Sequence, residues 1–252
     1  MIRAALILAA WLGLASPLAA ETVVAGLSRD AISITTNFEG SEILIFGAVS
    51  RQAPPPEGSD LHVIVTVEGP SRPVTVRRKE RRFGIWVNTD AAEIDAAPTF
   101  YAVATTAPFE TVITHTEDLR HRVSAPWAIR AIGTGVADQE VFIDGLIRIR
   151  TEEMLYQLNE GEVTLEDDTL FDTSIRLPAN LVEGDYRTRI FLMRDREVVD
   201  VLRQDIAVRK VGLERWIYNL AHDQPLAYGI LSLAIAIAAG WLASAAFRYL
   251  RG

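Results

Sequence analysis

The sequence contains no cysteine. This absence excludes disulfide bonds, thiol catalysis and cysteine-ligated metal sites. Histidine is also scarce, with four in 252 residues, and the chain has no G-x-S-x-G elbow, P-loop or H-E-x-x-H motif. The sequence therefore predicts a protein that is not an enzyme, with no catalytic residue, metal site or cofactor.

A general excess of positive charge is missing as well. The formal net charge is -8 at pH 7, and an acidic chain has no overall electrostatic attraction for phosphate backbones. We therefore expect no nucleic-acid partner.

The chain does have two long apolar segments, one at each end. Residues 1–20 combine Arg3, an apolar run of about a dozen residues and small residues before position 21, which is the layout of a secretory signal peptide. We expect cleavage after Ala20. Leu18 is larger than the residue preferred three positions before a cleavage site, so an uncleaved signal anchor is the alternative.

The second apolar segment covers residues 225–247 and contains no charged residue or histidine. As a helix rising about 1.5 Å per residue it would extend roughly 34 Å, enough for a hydrocarbon core of about 30 Å. Arg248 and Arg251 follow in the short tail 248–252. By the positive-inside rule this tail is cytoplasmic, and the bulk of the chain is exported and held by a single transmembrane helix.

An amphipathic helix is predicted just before the span, within residues 211–224. Its apolar residues recur at i, i+3, i+4 and i+7, which are Leu213, Trp216, Ile217 and Leu220. We expect it to lie along the outer membrane interface. Pro225 would separate it from the span, although proline can also kink one continuous helix.

Residues 21–109 show short strands separated by turns. Residues 61–67 place Leu61, Val63, Val65 and Val67 on one face, whereas residues 42–49 are apolar on both faces, as in a central strand. This pattern predicts a first module with an immunoglobulin-like antiparallel β-sandwich, without the cysteine pair of that fold.

The period changes over residues 110–161, which we interpret as a helical insertion. The longest predicted helix covers 138–158, and a shorter one covers 117–123. The apolar side of the longer helix is formed by Phe142, Ile143, Leu146, Ile147, Met154 and Leu158.

The strand pattern returns over residues 162–210, which predicts a second β module. Within it, Tyr186 is placed as in an immunoglobulin-like corner, where a tyrosine hydroxyl bonds an upstream backbone group. The alternative is one composite sandwich to which residues 21–109 and 162–210 both contribute strands. Either way, the fold class is mainly β with a C-terminal transmembrane helix.

Several motifs resemble those of the alphaproteobacterial transmembrane family Alph_Pro_TM. They are IFGA at 45–48, GPSRPVTVRRKER at 69–81, GIWVN at 84–88, FYAV at 100–103, AHDQP at 221–225 and GWLAS at 240–244. The resemblance implies an exported domain at the bacterial inner membrane with one carboxy-terminal anchor, and it transfers no activity or catalytic residue. Some members are encoded near permeases similar to sulfite exporters, which implies an accessory role for a transporter.

A basic stretch stands out from the acidic chain. It consists of Arg77, Arg78, Lys79, Arg81 and Arg82. On a strand, Arg77, Lys79 and Arg81 would share one side and the other two the opposite side. This stretch is our candidate contact for an acidic partner, lipid headgroups or a small anion. The alternative is a solvated edge strand whose charges prevent aggregation.

Other candidate positions are weaker. In the span, Ala236, Gly240 and Ser244 recur every four residues and could form a helix-packing face. His115, Asp118 and His121 lack the i, i+4 histidine spacing of a zinc helix, so we assign them a surface or cap role. The acidic residues between Glu162 and Asp172 lack the order of a calcium loop and predict an exposed hairpin.

These observations favour a periplasmic interaction module at the inner membrane, with lipid and a membrane protein such as a permease as partners. The rival hypotheses are an envelope receptor for a small anion and an envelope enzyme that uses scattered carboxylates and histidines.

Overall fold

The computed structural model describes residues 21–28, 31–34, 40–51, 58–131, 139–210 and 213–251. The predicted signal peptide, residues 1–20, lies outside the described residues. The prediction of a mainly β protein with an apolar C-terminal helix is confirmed.

Within these described residues, twelve strands form three sheets. Their bounds are β1 Glu21–Leu27, β2 Ala31–Ile34, β3 Ser41–Arg51, β4 Leu61–Glu68, β5 Ser71–Arg82, β6 Ile85–Pro98, β7 Tyr101–Thr105, β8 Tyr156–Glu160, β9 Thr164–Glu166, β10 Leu170–Leu177, β11 Gly184–Arg194 and β12 Glu197–Lys210. The four-stranded sheet has the order β1-β3-β10-β9, the six-stranded sheet the order β2-β12-β11-β4-β7-β8, and β5 pairs with β6 alone.

The two larger sheets each combine strands from both halves of the chain. In the four-stranded sheet β3 pairs with β10, and in the six-stranded sheet β4 pairs with β11, with Ile190 opposite Val65. The separation into two β modules, 21–109 and 162–210, therefore does not match the strand pairing. The composite sandwich, our alternative interpretation, describes the sheets instead.

One hydrophobic cluster joins the two sheets. The four-stranded sheet contributes alternate residues of β3 and β10, including Ile43, Ile45 and Ile175, which are at most 1 % exposed. In the six-stranded sheet, β4 and β7 are buried on both faces. The expected buried face of residues 61–67 is therefore confirmed, and the opposite face of this strand is covered as well.

Three short helices cover that second face of the six-stranded sheet. They are α1 Phe109–Val112, α2 His115–His121 and α3 Ala125–Ala128. The Tyr101 hydroxyl donates to the carbonyl of Val123 at 2.7 Å, and the Arg189 guanidinium donates to the carbonyl of His121 at 2.7 Å. These bonds join α2 and the segment after it to β7 and β11. Burial, the main cause, raises the pKa of Tyr101 well above its usual range.

The long helix α4 spans Gln139–Glu152 and is shorter than the predicted 138–158. Met154 ends it in the left-handed region with φ 57°, and the amide of Leu155 donates back to Arg150 in a Schellman motif. Leu158 therefore belongs to strand β8, and both Met154 and Leu158 are more than half exposed. Phe142 and Leu146 are buried, as expected for the apolar side.

The predicted corner contact at Tyr186 is present. Its hydroxyl donates to the carbonyl of Val182 at 2.9 Å, just before β11 begins. The finer classification as immunoglobulin-like stays a prediction.

Two helices complete the chain, α5 Leu213–Asp223 and α6 Pro225–Arg251, with Gln224 between them. Pro225 has no amide hydrogen, so the helical hydrogen bond that residue 225 would donate is missing at this junction. Within α6, Pro225–Ala245 is the one helical stretch of the described residues that is long and apolar enough to cross a membrane.

Candidate interaction surfaces

Strands β5 and β6 form a two-stranded arm that belongs to neither large sheet. The two strands pair antiparallel along their whole length and contain register shifts near Pro73 and Thr89. At the base of the arm, Ala92 and Ile94 are buried, whereas all residues from Arg81 to Trp86 are exposed. The arm is therefore packed on the protein at its base and surrounded by solvent at its end.

The basic residues lie on the two faces of this arm as predicted. Arg77, Lys79 and Arg81 are exposed on one face, which we call the basic face. Their cross-strand neighbours are Ala91, Asn88 and Trp86, so this face carries three cations and an indole ring with no carboxylate among them. Within the described residues these three cations form no ion pair.

On the opposite face of the arm, the charged side chains contact one another or helix α4. The Arg78 guanidinium donates to the Asp90 carboxylate at 2.7 Å and lies 5.4 Å from the centre of the Phe142 ring of α4. The hydrogen bond from Arg78 lowers the pKa of Asp90 below its usual range. Arg82 contacts Glu80 at 3.4 Å. Arg78 is thus engaged within the arm and with α4, whereas Arg82 keeps a side chain that is 63 % exposed. Both strands of a two-stranded arm are edge strands, so the alternative interpretation of the basic stretch as a solvated edge strand stays a prediction.

The end of the arm is a two-residue turn formed by Phe83 and Gly84. Both have positive φ, 51° and 85°, as a type I′ hairpin turn requires. Phe83 is fully exposed, and its neighbours Ile85 and Trp86 are 64 % and 69 % exposed. We call Phe83, Ile85 and Trp86 the apolar tip.

The apolar tip was not predicted from the sequence, because only the basic residues before it were considered. The signal was a Phe-Gly pair between two strand-forming segments, which is the position that Asn-Gly takes in many hairpins.

A second surface lies on the outer face of the four-stranded sheet. Val24, Leu44, Phe46 and Leu170 point away from the core and are 43–63 % exposed. They come from the three adjacent strands β1, β3 and β10, with Ala48 opposite both Val24 and Leu170. We call these four residues the apolar sheet face. Strand β3 takes the predicted central position between β1 and β10, and its outward apolar residues Leu44 and Phe46 are exposed.

A small recess lies beside α2 and α3. It has a volume of about 200 Å³ and is lined by Leu119, Arg122, Trp127, Ile129, Arg130 and Ala131. Two arginines and an indole in so small a space suit an anion of a few atoms.

The four histidines contact structural neighbours. His62 bonds the Thr106 hydroxyl at 2.9 Å, His121 lies 3.4 Å from Glu117, and His222 bonds the Tyr218 carbonyl at 2.8 Å. His115 packs edge-on against Trp127.

Both oxygens of the Asp118 carboxylate accept hydrogen bonds from Ser124, one from its amide at 2.7 Å and one from its hydroxyl at 2.8 Å. The acidic residues between Glu162 and Asp172 lie on the β9–β10 hairpin, as predicted, with Asp167 and Asp168 in its turn.

The predicted helix-packing face is on α6. Ala236, Gly240 and Ser244 are exposed, and a side chain added at Gly240 would meet open space. No described residue of this chain packs against Gly240, and its role stays a prediction.

These features define a β-sandwich protein with one candidate membrane-spanning helix near its C-terminus. The family model described as "Putative transmembrane protein (Alph_Pro_TM)" matches residues 22–249, and the chain belongs to this family. The resemblance found in the sequence is thereby confirmed.

No curated protein matches the chain. Among solved structures, it is similar to Spo0M, a sporulation control protein from Bacillus subtilis, at 12 % identity and a TM-score of 0.28. That match covers 80 % of this chain and 53 % of the other, so the chain spans about half the length of Spo0M.

Proposed function

We propose that this protein is a membrane-anchored periplasmic interaction module that docks onto an inner-membrane protein through its apolar sheet face. It is not an enzyme, and it acts as an accessory protein of a transporter such as a sulfite-exporter-like permease. The observation that carries this proposal is the apolar sheet face itself.

An antiparallel sheet with one face toward water ordinarily alternates apolar residues inside with polar residues outside. Here the outward positions of three adjacent strands include Val24, Leu44, Phe46 and Leu170, interspersed with polar positions such as Asp172 opposite Phe46. Large apolar side chains exposed together on one face are characteristic of protein contact sites. Phe46, an aromatic residue central to the patch, is of the type that often dominates binding energy.

Membrane location supports the choice of partner. The family is described as transmembrane, and the described part of the chain has one helix long and apolar enough to span. Arg248 and Arg251 at its far end favour a cytoplasmic C-terminus, which supports a periplasmic location for the sandwich. A domain tethered this way meets other inner-membrane proteins at high effective concentration.

The contacts of the histidines and buried carboxylates support a role other than catalysis. His62, His121 and Asp118 are bound by neighbours within the fold. The exposed side chains of the basic face and the apolar sheet face suit binding better than acid-base chemistry.

Copurification of the full-length chain from native membranes in mild detergent tests the docking. We expect one inner-membrane protein to be recovered with it. The triple variant Leu44→Thr, Phe46→Thr, Leu170→Thr keeps strand-forming residues and should lower recovery at least about tenfold, the effect of losing one good contact. Reversing Arg77, Lys79 and Arg81 to Glu is the matched control and should leave recovery unchanged. Recovery of the chain alone would contradict the proposal.

Orientation has its own test, which the lack of cysteine makes simple. In intact spheroplasts, a membrane-impermeant maleimide should label Asp195→Cys in the exposed β11–β12 turn. A reporter fused after Gly252 should be active only in the cytoplasm. The reverse result for both would place the sandwich in the cytosol.

A receptor for a small anion is the second candidate function. It is favoured by the recess of about 200 Å³ that Arg122 and Arg130 line with Trp127. Sulfite or sulfate should then raise the melting temperature of the full-length chain in detergent, and Arg130→Gln should remove the shift. An unchanged melting temperature in saturating anion would exclude this function.

A further inference from the structure

We infer that the β5–β6 arm is a second, independent membrane contact. In this interpretation the apolar tip enters the interfacial region of the bilayer, and the basic face binds anionic phospholipid headgroups. This contact goes beyond docking through the apolar sheet face and uses none of its residues.

The first observation is the distribution of apolar side chains around the tip. Trp86 lies on the basic face, Ile85 on the opposite face, and Phe83 in the turn itself. To bind a protein surface, the tip would need apolar side chains on one side only, whereas a bilayer surrounds an inserted tip on every side. The arrangement therefore favours lipid over a protein surface.

The second observation is charge. Residues 77–88 contain five basic residues and one acidic residue, in a chain of net charge -8. Arg77, Lys79 and Arg81 project together and lead toward Trp86, which is opposite Arg81. Aromatic rings favour the interface and neighbouring cations favour anionic headgroups, so the two groups would act at the same depth.

The third observation is the conformation of Phe83. A bulky residue in the left-handed region is unfavourable, and asparagine would suit this turn position better. Phe83 is fully exposed, so its ring contributes no burial to the fold. A strained residue with no role in packing indicates a functional one.

The backbone of the arm permits shallow insertion. Arg82 pairs with Ile85 directly before the turn, so the strands keep their hydrogen bonds up to the last two residues. Beyond Arg78, where α4 supports the arm, four residue pairs and the turn extend roughly 15 Å. This length suffices for the headgroup region while the rest of the arm stays in water.

The full-length chain in lipid nanodiscs provides the test, since a single cysteine can be introduced at will. An environment-sensitive dye is placed at Asn88→Cys on the basic face, opposite Lys79 in the free part of the arm. The matched control is Glu93→Cys, an exposed position closer to the base of the same arm. Quenching by nitroxide lipids measures contact with the bilayer.

In discs of phosphatidylcholine with phosphatidylglycerol, we expect the label at position 88 to be quenched and the label at 93 to remain in water. Reversing Arg77, Lys79 and Arg81 to Glu should lower the ratio of bound to free tip by at least roughly a hundredfold, since each cation near an anionic surface contributes about fivefold and the glutamates add repulsion. Phe83→Asn should also reduce quenching, although it leaves the charge unchanged.

Several results would overturn the inference. One is a label at position 88 that stays in water, and another is equal quenching in pure phosphatidylcholine that survives the charge reversal. Shielding in native membranes without lipid quenching would indicate a protein partner on the arm, and displacement by inorganic phosphate would indicate a small-anion site. Copurification through the apolar sheet face is measured separately, so either proposal can fail alone.

Discussion

The sandwich contains a buried arginine, Arg194, whose charge is paired within the protein. The Arg194 guanidinium binds both oxygens of Glu21, at 2.8 and 2.9 Å, and also the carbonyl of Ser59. Arg51 adds a further bond to Glu21 at 3.1 Å. Glu21 and Arg194 are each at most 9 % exposed, so this network joins the start of β1 to the end of β11 at a largely buried site.

Removing one member of this network should be costly. Arg194→Met leaves the Glu21 carboxylate buried with Arg51 alone, and we expect the free energy of unfolding to fall by about 3–5 kcal/mol. The matched control is Arg209→Met, whose partner Asp185 is 71 % exposed and which should cost less than about 1 kcal/mol. Urea unfolding of the detergent-solubilised chain measures both. Equal midpoints for the two variants would contradict the assignment.

A second prediction at this scale concerns alkaline pH. Burial is the main cause that raises the pKa of Tyr186 to about 12 from its ordinary value of 10.0. A raised pKa means that the unfolded chain loses this proton first, so the associated stability is present below pH 10 and declines as pH rises toward 12.

Tyr186→Phe tests that dependence. It removes the hydrogen bond to the Val182 carbonyl, so the variant should be less stable at pH 8 by about 0.5–1.5 kcal/mol. Its unfolding midpoint should then fall less steeply above pH 10 than that of the unmodified chain. Parallel pH profiles would show that Tyr186 is not a source of the alkaline loss.

In the hairpin arm, the residue that we propose to contact lipid, Phe83, also makes the turn less stable. Phe83→Asn should stabilise the turn by about 0.5–1 kcal/mol, because asparagine tolerates the left-handed region and no burial is lost. Gly84→Ala, at φ 85°, should destabilise it by about 1 kcal/mol or more. Thermal unfolding ranks the two. A lower melting temperature for Phe83→Asn would mean that the ring supports the fold.

The same element shows what the sequence can and cannot predict. Alternation over residues 77–82 correctly assigned Arg77, Lys79 and Arg81 to one face, since side-chain direction on a strand follows from its period of two. It could not reveal that the strand leaves both large sheets, because strand partners depend on distant residues. The missing asparagine in the turn hid the hairpin further.

The predicted C-terminal end of helix α4 was wrong for a similar reason. The apolar spacing of residues 138–158 continues past the true end at Glu152, and no glycine or proline marks the Schellman motif at Met154. Leu158 fits the helical spacing but lies on β8, where it pairs with Val103 of β7. Tertiary pairing with an existing strand thus determined the element where local spacing was ambiguous.

At the scale of the molecule, the composite sandwich makes the two halves of the chain interdependent. In the six-stranded sheet, β11 lies between β4 and β12, and its residues Ile190, Phe191, Leu192 and Met193 are at most 1 % exposed. Burying four such side chains contributes about 6–12 kcal/mol, which is comparable to the whole stability of a domain at about 5–15 kcal/mol. The N-terminal half cannot replace this contribution from its own strands.

A fragment of residues 21–131 should therefore not fold alone. It lacks β10 and β11, so β3 and β4 each lose a central neighbour and expose the edges and faces that those strands cover. We expect a poorly soluble fragment with no cooperative thermal transition by circular dichroism and a collapsed amide NMR spectrum.

Co-expression with residues 139–210 is the matched control, because it restores every strand of both sheets and breaks only the connection after α3. The pair should copurify and unfold in one transition, since β11 can then insert between β4 and β12. A dispersed spectrum from the 21–131 fragment by itself would instead show that the N-terminal half is a separate module, and that the shared sheets are an association of two independent folds.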